Sequence, residues 1–196
     1  MPKIISYLTI IIFIIGGCSK KTYNTLPDNT LNETDNKGVK KNVLLSESER
    51  KKIASIVEVV PKKIVNDELY ALIYKWLNVP YLYGGEDRNG IDCSAMTKKV
   101  FNDIYKIELP RTSDEMFWSK DVNRFKKKRF LKEGDLVFFR IDKEKTISHV
   151  GIYLQNNKFF SSNVSAGVQI ADLNSPYWAE RYVASGRIKA KQNGTD

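Results

Sequence analysis

The chain has 196 residues, 42% hydrophobic, 11% aromatic and 28% charged, with a formal net charge of +9. Once the two ends are set aside, that length holds one domain with a proper core and not two. The basic balance fits polyanionic surroundings. No zinc-finger spacing, basic heptad helix or other nucleic-acid signature goes with it, so no nucleic-acid partner is expected. The run Lys126-Lys127-Lys128-Arg129 reads as a solvated loop face. Two cysteines, Cys18 and Cys93, and one histidine, His149, are too few for a disulfide framework or a structural zinc site, and no metal or cofactor is expected.

The first residues read as targeting sequence. Lys3 precedes the apolar stretch Ile4 to Ile15, which is too short for a spanning helix of about 20 residues and has the length of a signal-peptide core. It runs into Gly16-Gly17-Cys18, which resembles the lipobox of bacterial lipoproteins. That resemblance implies a cleaved signal over 1–17 and an acylated Cys18, with an ordinary cleaved signal or a short anchor as the alternatives. It places the mature chain outside the cytoplasm, held to a membrane by lipid. Ser19 rather than aspartate after the cysteine favours the outer membrane, facing the periplasm, in a Gram-negative cell. Residues 19 to 42 are polar and aperiodic, a tether whose typical end-to-end distance is about 25–30 Å.

Segment 18–65 also holds one candidate helix, Ser46 to Val60. Ser46 and Glu49 match a capping box, Ile53, Ile56, Val57 and Val60 share a face, and Pro61 is the stop. The folded domain is expected over 66–190, with 191–196 a tail. Leu69, Leu72, Ile73 and Trp76 predict a helix over Asp67 to Leu77. The loop Pro80 to Gly85 follows. Asp92 then stands as N-cap of a helix that opens at Cys93 and buries Met96, Val100 and Ile104. Thr112 and Glu115 suggest a further short capped helix.

The second half changes period. Asp135 to Arg140 reads as a central strand, and Val150, Ile152 and Leu154 alternate with His149, Gly151 and Tyr153. Asn156-Asn157 looks like a hairpin turn into Lys158 to Ser161. Val168 with Ile170, and Tyr182 to Ile188, suggest two more strands. Helices first and close strands after give an α+β domain with a mostly antiparallel sheet.

Cys93 is the one thiol left in the mature domain. A helix N-terminus stabilises a thiolate through its dipole and free N–H groups. The opposing reading is a small buried hydrophobe. A nucleophilic cysteine needs a base within reach, and His149 is the one imidazole on offer. A lone histidine is often structural, and spacing alone does not decide between the two.

Five blocks occur in order: Pro80-Tyr81-Leu82-Tyr83-Gly84-Gly85, Ile91-Asp92-Cys93-Ser94-Ala95, Leu109-Pro110-Arg111-Thr112-Ser113, Gly134-Asp135-Leu136-Val137-Phe138-Phe139 and His149-Val150-Gly151-Ile152-Tyr153. Together they resemble the NlpC-type cell-wall cysteine peptidases over roughly Asp67 to Ile188. Pro176-Tyr177-Trp178 resembles the lipoprotein endopeptidases of that group. The resemblance implies a minimal papain-like fold, with N-terminal helices packed on the sheet. It also implies hydrolysis of peptide bonds in the stem peptides or crosslinks of peptidoglycan through a thioacyl-enzyme. Cys93 would be the nucleophile, His149 the base, and Tyr81 a hydroxyl pointing into the site near the oxyanion. Tyr83 and Arg111 are assigned to substrate binding, and Asp92 to capping. The family's third polar residue, usually histidine, falls on Ser161, twelve residues after His149, with Asn163 as the substitute if the strand bulges. A serine there motivates a second reading, a non-catalytic lipoprotein that binds wall peptides. A third is an acyltransferase or amidase on the same fold. Nothing in the sequence sets an oligomeric state.

Overall fold

The computed structural model describes residues 45–141 and 146–189. The proposed signal, Cys18, the tether over 19–42 and the tail over 191–196 lie outside the described residues.

Helix α1, Glu47–Val57, starts with the capping box that Ser46 and Glu49 announce. It ends three residues before Val60, the expected last residue, because Glu58 turns left-handed at φ 59° and its N–H returns to the carbonyls of Ala54 and Ser55. Pro61 instead opens a 3-10 turn over Pro61–Lys63. Ile53, Ala54 and Val57 enter the same core as Leu69, Ile73 and Met96, so this helix is continuous with the domain packing. Lys158 reinforces the join: its ammonium lies 2.9 Å from both Glu58 and Asp172.

Helix α2, Asp67–Trp76, is capped by the Asn66 side chain and buries Leu69, Tyr70, Ile73 and Trp76. A two-stranded hairpin not foreseen in the sequence, β1 Glu86–Asp87 and β2 Gly90–Ile91, leads into helix α3, Cys93–Val100. A wider π-type turn, Phe101–Tyr105, extends α3 and closes at Lys106, φ 57°. Helix α4, Ser113–Trp118, carries the second capping box, Thr112 with Glu115.

The remaining elements are β3 Val122–Phe125, β4 Leu136–Phe139, β5 His149–Tyr153, β6 Lys158–Asn163, β7 Gly167–Asp172, helix α5 Pro176–Arg181 and β8 Tyr182–Ile188. They form one sheet in the order β3-β8-β4-β5-β6-β7, antiparallel at every described pairing. The β5–β6 turn is the expected one, with positive φ at both Asn156 and Asn157. The fold is therefore α+β, with helices on an antiparallel sheet.

The sheet has two covered faces, and β4 shows how the sequence serves both. Leu136 and Phe138 face the main core with α1, α2 and α3, while Val137 and Phe139 face a smaller cluster with Phe159, Leu173 and Trp178. The strict period of two along a four-residue apolar run is what a strand buried on both faces requires.

Candidate active site

Asp92 organises the entry to α3. It is 6% exposed. Its carboxylate accepts from the Ala95 and Gly84 N–H groups and the Ser94 hydroxyl, and from two nitrogens of the Arg111 guanidinium, the shorter contact being 2.8 Å. Gly84 adopts φ +73°, a conformation disfavoured for side-chain-bearing residues, and so turns its N–H toward this carboxylate. Burial pulls the Asp92 carboxyl upward, but the Arg111 guanidinium and the Ala95 and Ser94 donors hold it below the ordinary carboxylate range. Asp92 is therefore the helix cap and also the anchor of Arg111, whose Nε is tied to Glu86 at 2.8 Å. The first role is legible in the sequence. The second is not, because it joins residues nineteen apart.

Cys93 begins α3 and is 7% exposed. Backbone N–H groups of Val150, Ser94 and Cys93 itself favour the sulfur's charged form, yet burial outweighs them and pushes the thiol up to about 11. The helix N-terminus is there, but burial in the cleft wall favours the neutral thiol.

His149 opens β5, next to the Val150 N–H that serves the sulfur. Its Nε2 lies 2.8 Å from Ser161 Oγ on β6. One face of the ring stacks on Trp178, with centroids 5.0 Å apart and planes 28° from parallel, and Phe139 lies at 5.7 Å. Trp178 is itself fixed by Phe139 and Phe159 at 4.9 and 5.1 Å. Burial lowers the imidazole to about 3. Gly151 makes room for this arrangement: a Cβ there would come within 2.6 Å of the Phe159 ring and 3.0 Å of Ser161 Cβ.

The chain thus brings Cys93, His149, Tyr81, Tyr83 and Arg111 to the lining of one cleft of about 810 Å³, with Ser161 directly behind His149. Tyr81 is half-buried. Burial and the neighbouring Cys93 and Asp92 raise its phenol, so it stays a hydrogen-bond donor. Tyr83 is 88% exposed on the rim. Asn163 does not take the place of Ser161 beside the imidazole. Its Oδ1 accepts from Ser165 N, Ser165 Oγ and Ala166 N and so closes the β6–β7 turn. Trp178 is the site residue that sequence reasoning passed over. Its Pro-Tyr-Trp motif is visible, but nothing in the motif says that the indole lies on the imidazole. Among the described residues no group of three or more His, Cys, Asp or Glu side chains is placed to hold a metal ion.

The chain is also similar to known proteins. A family model described as the NlpC/P60 family covers residues 78–187. A probable endopeptidase NlpC homolog of Haemophilus influenzae is 39% identical over 126 residues, 64% of this chain and 64% of its own length. A protein of Escherichia coli K12 named murein DD-endopeptidase MepS/murein LD-carboxypeptidase is 39% identical over 117 residues, 59% of each chain. The chain therefore spans about three-fifths of the length of these curated relatives. Among solved structures, an NlpC/P60 family protein from Bacillus cereus superposes with a TM-score of 0.56 at 28% identity, over 64% of this chain and 41% of that one.

Proposed function

The chain belongs to the NlpC/P60 family, and from that premise we propose that it is a cysteine endopeptidase acting on the peptide part of peptidoglycan. The observation that carries this reading is the shared cleft. Cys93 and His149 both line it, and the N–H next to the imidazole along β5 is also the one aimed at the sulfur. The name of the Escherichia coli relative, a murein DD-endopeptidase, supports the substrate class, and that of the Haemophilus influenzae relative, a probable endopeptidase, supports the reaction.

The chemistry is acyl transfer to water. The Cys93 sulfur attacks the peptide carbonyl carbon as its proton passes to His149, and the carbonyl oxygen becomes an oxyanion facing the Cys93 N–H and the Tyr81 hydroxyl. The intermediate collapses, the C–N bond breaks, and the imidazolium returns its proton to the leaving amine. Water then adds to the thioester with His149 as base, which frees a carboxylate and regenerates the thiol. Ser161 and Trp178 hold the imidazole in place throughout. Arg111, anchored by Asp92, stands on the cleft wall where it contributes to peptide binding together with Tyr83 on the rim. The Ile4–Cys18 sequence supports a lipid anchor at Cys18 and an extracytoplasmic location, on the outer membrane in a Gram-negative cell.

Ser161 in place of a second imidazole, together with the raised thiol, favours one alternative: a wall-peptide binder without turnover. The test is incubation of the full chain with muropeptides beside Cys93→Ala, read by mass spectrometry. New fragments with the unaltered chain alone support the peptidase and identify the scissile bond. Intact muropeptides with both, from folded protein, turn the assignment to the binder. Radiolabelled palmitate incorporated by the wild type and absent from Cys18→Ala checks the anchor.

A further inference from the structure

Among the described residues, three with formal charge at neutral pH line the cleft: Asp92, Arg111 and Asp114. Asp92 and Arg111 neutralise each other at 2.8 Å. Asp114 has no ion-pair partner among the described residues, so its carboxylate leaves the described lining with a net charge of one negative. This stands against a chain whose formal net charge is +9. The carboxylate is also fixed in direction. Its Oδ1 accepts the Ile147 N–H at 2.9 Å, and next to it the Ser113 hydroxyl donates to the Ile147 carbonyl at 2.9 Å. This clasp between α4 and the approach to β5 occupies one oxygen. The other accepts no hydrogen bond from the described residues, on a half-buried side chain in the cleft wall.

We propose that Asp114 is a substrate-binding residue that takes the free ammonium group of a peptide lying in the cleft. The proposal rests on the peptidase reading and narrows its substrate class to peptides that carry an unblocked amine near the scissile bond. An ammonium suits the position because it offers several donors on a compact charge, and a single free carboxylate oxygen offers one strong acceptor. A carboxylate at the same place meets repulsion, an apolar group leaves the oxygen unpaired, and a neutral donor satisfies it without the attraction of opposite charges. The amine has two sources, the side chain of a diamino acid or the amino terminus of the peptide.

The test uses four synthetic stem peptides: unblocked, acetylated on the side-chain amine, acetylated on the terminal amine, and acetylated on both. Binding is measured by calorimetry on the full chain carrying Cys93→Ala, with and without Asp114→Asn. Asparagine keeps the Oδ1 that receives the Ile147 N–H and replaces the free oxygen with a donor, so the clasp persists and the charge goes. For a half-exposed pair the expected loss is about 5-fold in affinity for the peptide with the relevant amine free. Little change is expected for the doubly blocked peptide, and whichever single acetylation abolishes the difference identifies the amine. Equal weakening of all four peptides shows that Asp114 serves only the clasp or an ion pair within the chain, and overturns the proposal, as does no weakening of any. Should Asp114→Asn not fold, carbon NMR of the Asp114 carboxyl in the Cys93→Ala chain decides. Its resonance moves on adding the unblocked peptide and not the doubly blocked one, and the reverse or no movement refutes the assignment. Failure of the wild type to cleave any peptide bears on the peptidase reading alone, since these measurements need no turnover.

Discussion

Removing the Ser161 hydroxyl isolates what holds the imidazole. His149 and Ser161 are 4% and 2% exposed, so water does not replace the deleted partner of Nε2 at 2.8 Å. A buried nitrogen left without its partner costs about 1–3 kcal/mol. Part of that falls on the resting protein. The remainder would appear as the proposed reaction proceeds, because there the imidazole takes the thiol proton and both ring nitrogens then donate. A hydrogen bond to a charged group contributes about 1 kcal/mol more than one between neutral groups. Ser161→Ala is therefore expected to lower unfolding stability by about 1–2 kcal/mol and kcat by roughly 5- to 10-fold, with KM little changed. Urea unfolding gives the first quantity, and chromatographic assay of muropeptide turnover gives the second. A variant within about twofold of wild type in kcat and equal to it in stability would refute the argument and make the contact incidental.

Other predictions follow from the same burial. Since the thiol is raised to about 11 and the imidazole lowered to about 3, alkylation of Cys93 by iodoacetamide should be slow at neutral pH and accelerate through the alkaline range. A rate already level between about pH 5 and 7 means a preformed thiolate–imidazolium pair and contradicts this. His149 is neutral when folded and protonates near its ordinary value when unfolded. Its contribution to stability is thus present above about pH 6.5 and is lost as pH falls toward 3, up to about 5 kcal/mol in all. Denaturant titrations of His149→Gln should show a flatter acid limb, and a limb as steep as the wild type's argues that other groups dominate. Arg111→Ala leaves the buried Asp92 carboxylate without its cation and should cost about 2–3 kcal/mol by urea unfolding. Arg111→Lys should recover less than half of this, since one ammonium cannot reproduce the forked contact to both carboxylate oxygens. Full recovery by lysine would show that charge alone matters.

Much of the fold was legible because its signals are local. The capping boxes at Ser46–Glu49 and Thr112–Glu115, the Asp92 cap and the Asn156-Asn157 turn each need only neighbouring residues, and each forms as read. The apolar run in β4 also reads directly, because both faces of the strand are covered. Elements held mainly by tertiary contacts left little trace. Strand β3 is four residues with one buried side chain, and β1 and β2 are two residues each. Helix α5 is six residues whose one buried side chain, Trp178, belongs to the smaller core. The end of α1 escaped the proline rule because Glu58 adopts a left-handed turn with no glycine to announce it. In the site, the order of Cys93 and His149 could be read from motifs, whereas the Trp178 stack and the Arg111–Asp92 fork join residues far apart in the chain.

The charge state of the thiol shows why this division matters for mechanism. Position at a helix N-terminus is a local property and argues for a thiolate. Burial comes from packing against β5 and outweighs it. The surroundings of His149 act in the same direction. Indole and phenyl rings flank the imidazole, and the group at Nε2 is a hydroxyl, which bears no charge and both donates and accepts. A carboxylate there would favour imidazolium and draw the proton off the sulfur before substrate arrives. Serine instead accommodates either neutral tautomer, and under the proposed mechanism the proton would leave the thiol as the carbonyl is attacked. In the proposed mechanism Ser161 then fits a site that rests uncharged and separates charge only as the carbonyl is attacked, with the Cys93 N–H and Tyr81 hydroxyl assigned to the developing negative charge.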